Sequence, residues 1–197
     1  GEQALTASRR VEDPELAHQI SVWIPGTLGR AEHGLGNLDQ ADALLRLGAE
    51  QFLAMGHSRG ATRVIGSWGT LAVDQGDLET ALERYQQALH HAVTVGEERW
   101  MGFWAKMIGA VLALLGEYEQ AARLLGAAES IEARSGKHFA ITEMDRRVEE
   151  AGRRRLREAP NTAALERTAD DGASLTLDQV VQEALAIAVG NVVGANE

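Results

Sequence analysis

Residues 69–96 read GTLAVDQGDLETALERYQQALHHAVTVG, and the pattern at their centre occurs three times in the chain. Gly76-Asp77-Leu78-Glu79-Thr80-Ala81 is preceded by Gly36-Asn37-Leu38-Asp39-Gln40-Ala41 and followed by Gly116-Glu117-Tyr118-Glu119-Gln120-Ala121. Positions 36, 76 and 116 are 40 residues apart. A fixed period of roughly 20–50 residues marks stacked supersecondary units, none of which can bury its apolar face alone. Each unit predicts the end of one helix, a tight glycine turn, and a second amphipathic helix. Asn37 and Asp77 suit the N-cap of that second helix, and Asp39, Glu79 and Glu119 fall in first turns, where the helix dipole favours an anion. Gly56, Gly96 and Gly136 follow the helical pattern at its other end, as expected of the left-handed residue just past a helix C-terminus.

The small residues repeat in phase. Gly29, Gly69 and Gly109 lie on the first helix of each pair. Ala41, Ala81 and Ala121 lie on the second, with Gly48, Ala88 and Ala128 seven residues further on and Leu45, Tyr85 and Leu125 between. Glycine inside a helix costs about 1 kcal/mol relative to alanine, so three at one phase imply that close helix contact returns more than that. The spacing resembles the tetratricopeptide repeat, with Leu28, Trp68 and Ile108 where that family places an apolar residue before the glycine. That family's repeat is ~34 residues long, so these copies have longer helices, and its late proline is missing. HEAT-type repeats of ~40–47 residues are the competing solenoid, and the Gly and Ala phases favour the tetratricopeptide. The expected fold is all-α, a right-handed solenoid of antiparallel helix pairs finished by C-terminal capping helices.

Outward from the repeats, residues 1–12 are polar and expected to be flexible, and Asp13-Pro14-Glu15 starts a helix that should run to about Gly34. Pro25 inside it must bend it or split it in two. Beyond Gly136, Ile141, Met144, Val148 and Leu156 make a narrow apolar stripe on a highly charged helix, the pattern of a terminal repeat with one face in water. Pro160-Asn161 ends that helix. A short helix is expected over Thr162–Ala169, then a turn at Asp170-Asp171-Gly172. Thr176-Leu177-Asp178-Gln179 forms a capping box before an apolar helix from Val180 to Val189, whose Val181, Leu185 and Ala188 would cap the array. The layout is therefore a repeat array over 13–158, capping helices over 159–190, and a flexible tail over 191–197.

A second resemblance is more specific. GEYEQAARLLGAAESIEARSG (116–136), followed by GASLTLDQVVQEALAIA (172–188), is similar to the C-terminal helical-repeat region of large bacterial ATP-binding regulators of the LuxR type and the antibiotic-regulator type. The likeness covers most of residues 30–189. It implies an effector-sensing or partner-binding module, in the cytoplasm, beside an ATPase or DNA-binding domain outside this segment. It carries over no catalytic residue. The opening Gly1 fits a fragment or a processed chain, and a free-standing adaptor that binds a partner's peptide is the alternative.

Composition narrows the chemistry. The 197 residues carry 29 acidic and 19 basic side chains, a net charge of −10, which argues against direct contact with nucleic acid. With no cysteine there is no disulfide framework and no thiolate metal site. No secretory signal opens the sequence, and the most apolar run, Met101 to Leu115, includes Lys106 and is shorter than the ~18–20 residues of a membrane span. No P-loop, zinc-ligand spacing or cofactor motif is present, so neither metal nor cofactor is expected.

Gly56-His57-Ser58-Arg59-Gly60 fits G-x-S-x-G, the nucleophile elbow of serine hydrolases. The equivalent positions in the next copies are Gly96-Glu97-Glu98-Arg99-Trp100 and Gly136-Lys137-His138-Phe139-Ala140, so a helix-to-helix turn is the better account, and no enzyme is expected. Of adjacent His90 and His91, one should be half-buried and the other solvated. Arg146, Arg147, Arg153, Arg154, Arg155 and Arg157 read as a solvated, salt-bridged helix face. The groove such arrays use is lined by the first helix of each pair. Its repeat phase selects Arg30, Arg63, Ser67, Thr70, Asp74, Phe103, Lys106, Met107 and Ala110, a set suited to a peptide or an acidic small ligand. Trp23 is expected near that side, and Trp68, Trp100 and Trp104 in packing roles. The terminal faces offer a homodimer contact that nothing in the pattern requires.

Overall fold

A computed structural model of the chain describes residues 14–135 and 142–188. The ends expected to be flexible, the Gly136 turn, Ile141 and Val189 lie outside the described residues. Among those residues there are nine helices and no strand: α1 (Pro14–Gly34), α2 (Leu38–Ala54), α3 (Ser58–Asp74), α4 (Leu78–Thr94), α5 (Glu98–Leu115), α6 (Tyr118–Ser135), α7 (Glu143–Arg157), α8 (Thr162–Ala173) and α9 (Leu177–Ala186). From α1 to α6, each helix packs on its neighbour in sequence. α1 runs through Pro25 as one helix.

Glycine ends each of the first five helices. Gly36, Gly56, Gly76, Gly96 and Gly116 have φ of 83°, 63°, 81°, 67° and 93°, a left-handed conformation that a Cβ disfavours. In each turn the following N–H reaches five residues back, as from Asp77 to the Ala72 carbonyl at 2.9 Å, which satisfies carbonyls the helix leaves open. One turn geometry therefore recurs every 20 residues. Asp77 caps α4 by accepting from the Thr80 N–H at 3.0 Å. Asn37 sits at the equivalent N-cap but turns its Nδ2 to Glu32 instead, at 2.7 Å.

The in-phase glycines are the points where paired helices touch. A Cβ at Gly29 would lie 2.7 Å from Leu45 Cγ, at Gly69 2.9 Å from the Tyr85 ring, and at Gly109 3.2 Å from Leu125 Cγ. Ala41, Ala81, Ala121, Ala88 and Ala128 are all buried at the same contacts. Between successive pairs, Trp104 of α5 fills the space above Gly66 of α3 and stacks on Tyr85 with centroids 5.8 Å apart. Its indole N–H donates to Thr62 Oγ1 at 2.9 Å, and Thr62 donates to the Ala88 carbonyl at 2.7 Å, so the largest buried ring leaves no polar atom unpaired.

The last three helices differ from expectation. Asp170-Asp171-Gly172 lies inside α8 rather than in a turn. Gly172 serves packing: a Cβ there would fall 2.1 Å from the Arg123 carbonyl oxygen, and one at Gly126 2.2 Å from the Ala169 oxygen, so α6 and α8 cross backbone to backbone. α9 begins with the expected Thr176–Gln179 capping box but buries Val180, Val181 and Ala184, while Leu185 and Ala188 are exposed. The i, i+1, i+4 face turns toward α5. α7 lies mainly across α5, with further contact on α3 and little on α6, while α8 runs along α6.

Candidate functional site

The nine residues chosen by repeat phase lie on α1, α3 and α5, and they fall into two unlike groups. Thr70, Phe103, Lys106, Met107 and Ala110 are buried, the correction to an open groove. The cover is α7. Gly152 sits so close that a Cβ there would meet Ala110 Cα at 2.6 Å. Lys106 Nζ lies 3.1 Å from Glu149 of α7 and 3.0 Å from Glu132 of α6. Asp145 accepts from Thr70 Oγ1 at 2.8 Å, and Arg147 donates to Asp74 at 3.0 Å. Asp74 also meets His33 Nε2 at 2.7 Å.

Asp145 is the pivot of this contact. Its Oδ2 accepts from the Thr142 N–H and hydroxyl, closing a capping box at the start of α7, while Oδ1 faces Thr70. Tyr85 OH stands 3.0 Å from Thr70 Oγ1, so a chain of hydroxyls runs from the core to the α7 carboxylate. Burial, ahead of every other influence, raises the Tyr85 pKa well above the ordinary tyrosine value. Thr142-x-x-Asp145 and Gly152 in a charged helix are visible in the sequence. Their meaning as a docking face depends on where α7 lies, which periodicity does not give.

The other group is open. Arg30, Arg63 and Ser67 are half-buried, with Trp23 of α1 and Trp100 of α5 beside them. Ser67 Oγ donates to the Arg63 carbonyl at 3.0 Å. The Arg63 guanidinium carbon is 5.9 Å from the ring centroids of both Trp23 and Trp100. Its Nε is buried and has no hydrogen-bond partner. Desolvation, and after it the like charge of Arg30, lower the Arg63 pKa. A crevice of about 50 Å³ opens here, lined by Trp23, Gly26, Thr27, Arg30, Arg63 and Val64.

The remaining motifs resolve into structure. Ser58 opens α3 and follows α2, so the elbow's strand is replaced by a helix. His57 Nδ1 accepts from the Gly60 N–H at 2.9 Å as the cap of α3. Ser58 Oγ is 3.3 Å from His91 Nδ1, and among the described residues no carboxylate pairs with that imidazole. His91 is half-buried and His90 exposed, as expected. Arg146 pairs with Glu143 and Glu150, and Arg153 with Glu129 and Glu149. Among the described residues no cluster of His, Asp and Glu could hold a metal ion, and no helix is long and apolar enough to cross a membrane. Set against family models, curated proteins and solved structures, the chain matches none.

Proposed function

We propose that α1–α6 form a right-handed solenoid of tetratricopeptide-like pairs, and that the chain is a non-catalytic interaction or effector-sensing module of a larger bacterial transcriptional regulator or signalling ATPase. The observation that carries this reading is the seating of α7 on the face made by α3 and α5. A groove that accepts an amphipathic helix from its own chain has the shape and chemistry to accept one from a partner, with α7 as the competing occupant. The repeat-phase contacts of Gly29, Gly69 and Gly109 support the fold assignment.

Control of an attached domain follows if a partner or effector binds better when α7 is away than when it is docked. A ligand shifts such an equilibrium only by its difference in affinity for the two states. The adaptor alternative draws support from the open part, where among the described residues Arg30 and Arg63 pair with no carboxylate in an acidic chain. The deciding measurement is the size of the native polypeptide in bacterial extract, read with an antibody raised against this segment. A chain far longer than these 197 residues supports the regulator module, whereas a chain of about this length sinks it and leaves the adaptor.

A further inference from the structure

Arginine in a half-buried setting normally meets a carboxylate, because a desolvated cation without one loses hydration and gains nothing in return. Lys106, Arg123 and Arg153 follow the rule, with carboxylate oxygens at 3.0, 2.8 and 3.0 Å, and Arg84 meets the Trp68 carbonyl at 3.0 Å instead. Arg63 departs from it. Its pKa is lowered by burial and then by the charge of Arg30, its flanks are the two indoles, and its Nε is buried and unpaired among the described residues. Two guanidiniums beside one crevice repel each other until an anion lies between them, and a guanidinium fork binds oxyanions through paired N–H donors.

The size of the crevice limits what enters. Its volume of about 50 Å³ is a few times the ~10–15 Å³ that one water requires, enough for a carboxylate or a phosphate group and too small for a sugar or a base. We infer that the crevice between α1 and α3 binds the oxyanion head of a small effector through Arg30 and Arg63, the body of that ligand lying outward along Trp23 and Trp100. Gly26 belongs to the site by its size, since a Cβ there would lie 2.5 Å from Val64 Cγ2 and push the wall inward. The inference rests on taking the α1/α3/α5 face as the ligand face, and it names the chemistry that face selects.

The test uses the whole chain, labelled with ¹⁵N, and follows the Arg63 Nε–H and the Trp23 and Trp100 indole N–H resonances. Inorganic phosphate and acetate are titrated separately, with sodium chloride at matched ionic strength as the reference. The expected result is a saturating shift of Arg63 Nε–H with at least one of the two anions and none with chloride. Saturation by phosphate alone assigns a phosphate ester, and saturation by acetate a carboxylate. R63Q and R30Q should each weaken binding about tenfold or more, and R99Q, on the exposed first turn of α5, should leave it unchanged. R30Q keeps the test valid should R63Q fail to fold. If neither anion moves the resonance beyond chloride, or if R30Q binds like the wild type, the site is overturned. That failure leaves the regulator reading intact, because the length of the native chain decides it separately.

Discussion

Gly152→Ala isolates the contact that closes half of the groove. In a free helix the change would stabilise by about 1 kcal/mol, because alanine loses less backbone entropy than glycine. Here the new methyl would lie 2.6 Å from Ala110 Cα and 2.6 Å from the Ala110 carbonyl oxygen, both of them backbone atoms of α5. Ordinary carbon contacts need ~3.5–4.0 Å, so α7 must retreat by about 1 Å, a gap that forfeits a quarter to a half of the dispersion attraction along the contact. Val148, 2% exposed, is the main apolar side chain at risk. The Thr70–Asp145 and Lys106–Glu149 contacts, now 2.8 and 3.1 Å, lengthen with it. Overpacking of this kind costs about 1–3 kcal/mol and exceeds the propensity gain, so the net loss is about 1 kcal/mol. The loss should be local. Amide hydrogen exchange should rise in α7, at Val148 through Gly152, while α3 and α4 keep their protection. A variant more stable than the wild type, or one with unchanged α7 protection, would show that α7 is not seated against α5 as described.

Three further outcomes are expected. Lys106→Met leaves Glu132 and Glu149 (17% and 15% exposed) facing each other without the ammonium, and urea unfolding should show a loss of about 2–3 kcal/mol, of which Glu149→Gln in the same background recovers part. Asp77→Ala should cost about 1 kcal/mol by thermal melting, and Asn37→Ala well under half as much, since only Asp77 caps its helix. The Thr80 hydrogen bonds lower the Asp77 pKa, so this contribution is present above the ordinary aspartate value and is lost as pH falls through the folded-state pKa. Tyr85 has the opposite sign. Its folded-state pKa is raised, so above pH 10.0 the unfolded chain releases a proton that the folded chain keeps, and stability falls as pH rises. Tyr85→Phe should flatten that alkaline decline; an unchanged slope would mean that Tyr85 is not sealed in the core.

What the sequence revealed of this molecule is the part that repeats. Gly36, Gly76 and Gly116 mark turns because a left-handed residue excludes a Cβ, and Gly69 marks a helix contact because Tyr85 needs the space. Both are local requirements imposed on single residues, and the 40-residue period shows them three times. Gly172 satisfies the same physics in the opposite sense. After two aspartates it resembles a turn, yet it lies inside α8 because α6 approaches within backbone contact. Composition does not separate those two uses of glycine, and no second copy of α8 exists to supply a phase. The groove was legible to the same extent. Repeat phase selected residues on α1, α3 and α5, but it did not show that α7 would lie across α5 and cover Thr70, Lys106 and Ala110. Arg63 and its unpaired Nε stand apart, since the absence of a carboxylate nearby in space leaves no trace along the chain.

The two groups of residues share α3, which raises the question of whether docking of α7 alters the anion crevice. Charge could carry such an effect: when α7 leaves, Arg147 leaves Asp74, and α3 loses a cation beside a carboxylate that keeps His33. Asp74 lies eleven residues beyond Arg63 on a helix that rises about 1.5 Å per residue, a separation of roughly 16 Å. At physiological salt the Debye length is about 8 Å, so little of that change reaches the guanidinium. The phosphate affinity of the Gly152→Ala protein should therefore stay within about twofold of the wild type at ~0.15 M salt. At ~0.01 M salt the Debye length grows to about 30 Å, but α7 carries Arg147 and Asp145 away together, so the two opposite charges largely cancel and the affinity should again stay within about twofold. A large change at physiological salt would contradict this reasoning. It would mean that α3 itself takes two arrangements, and that α7 and the anion choose between them.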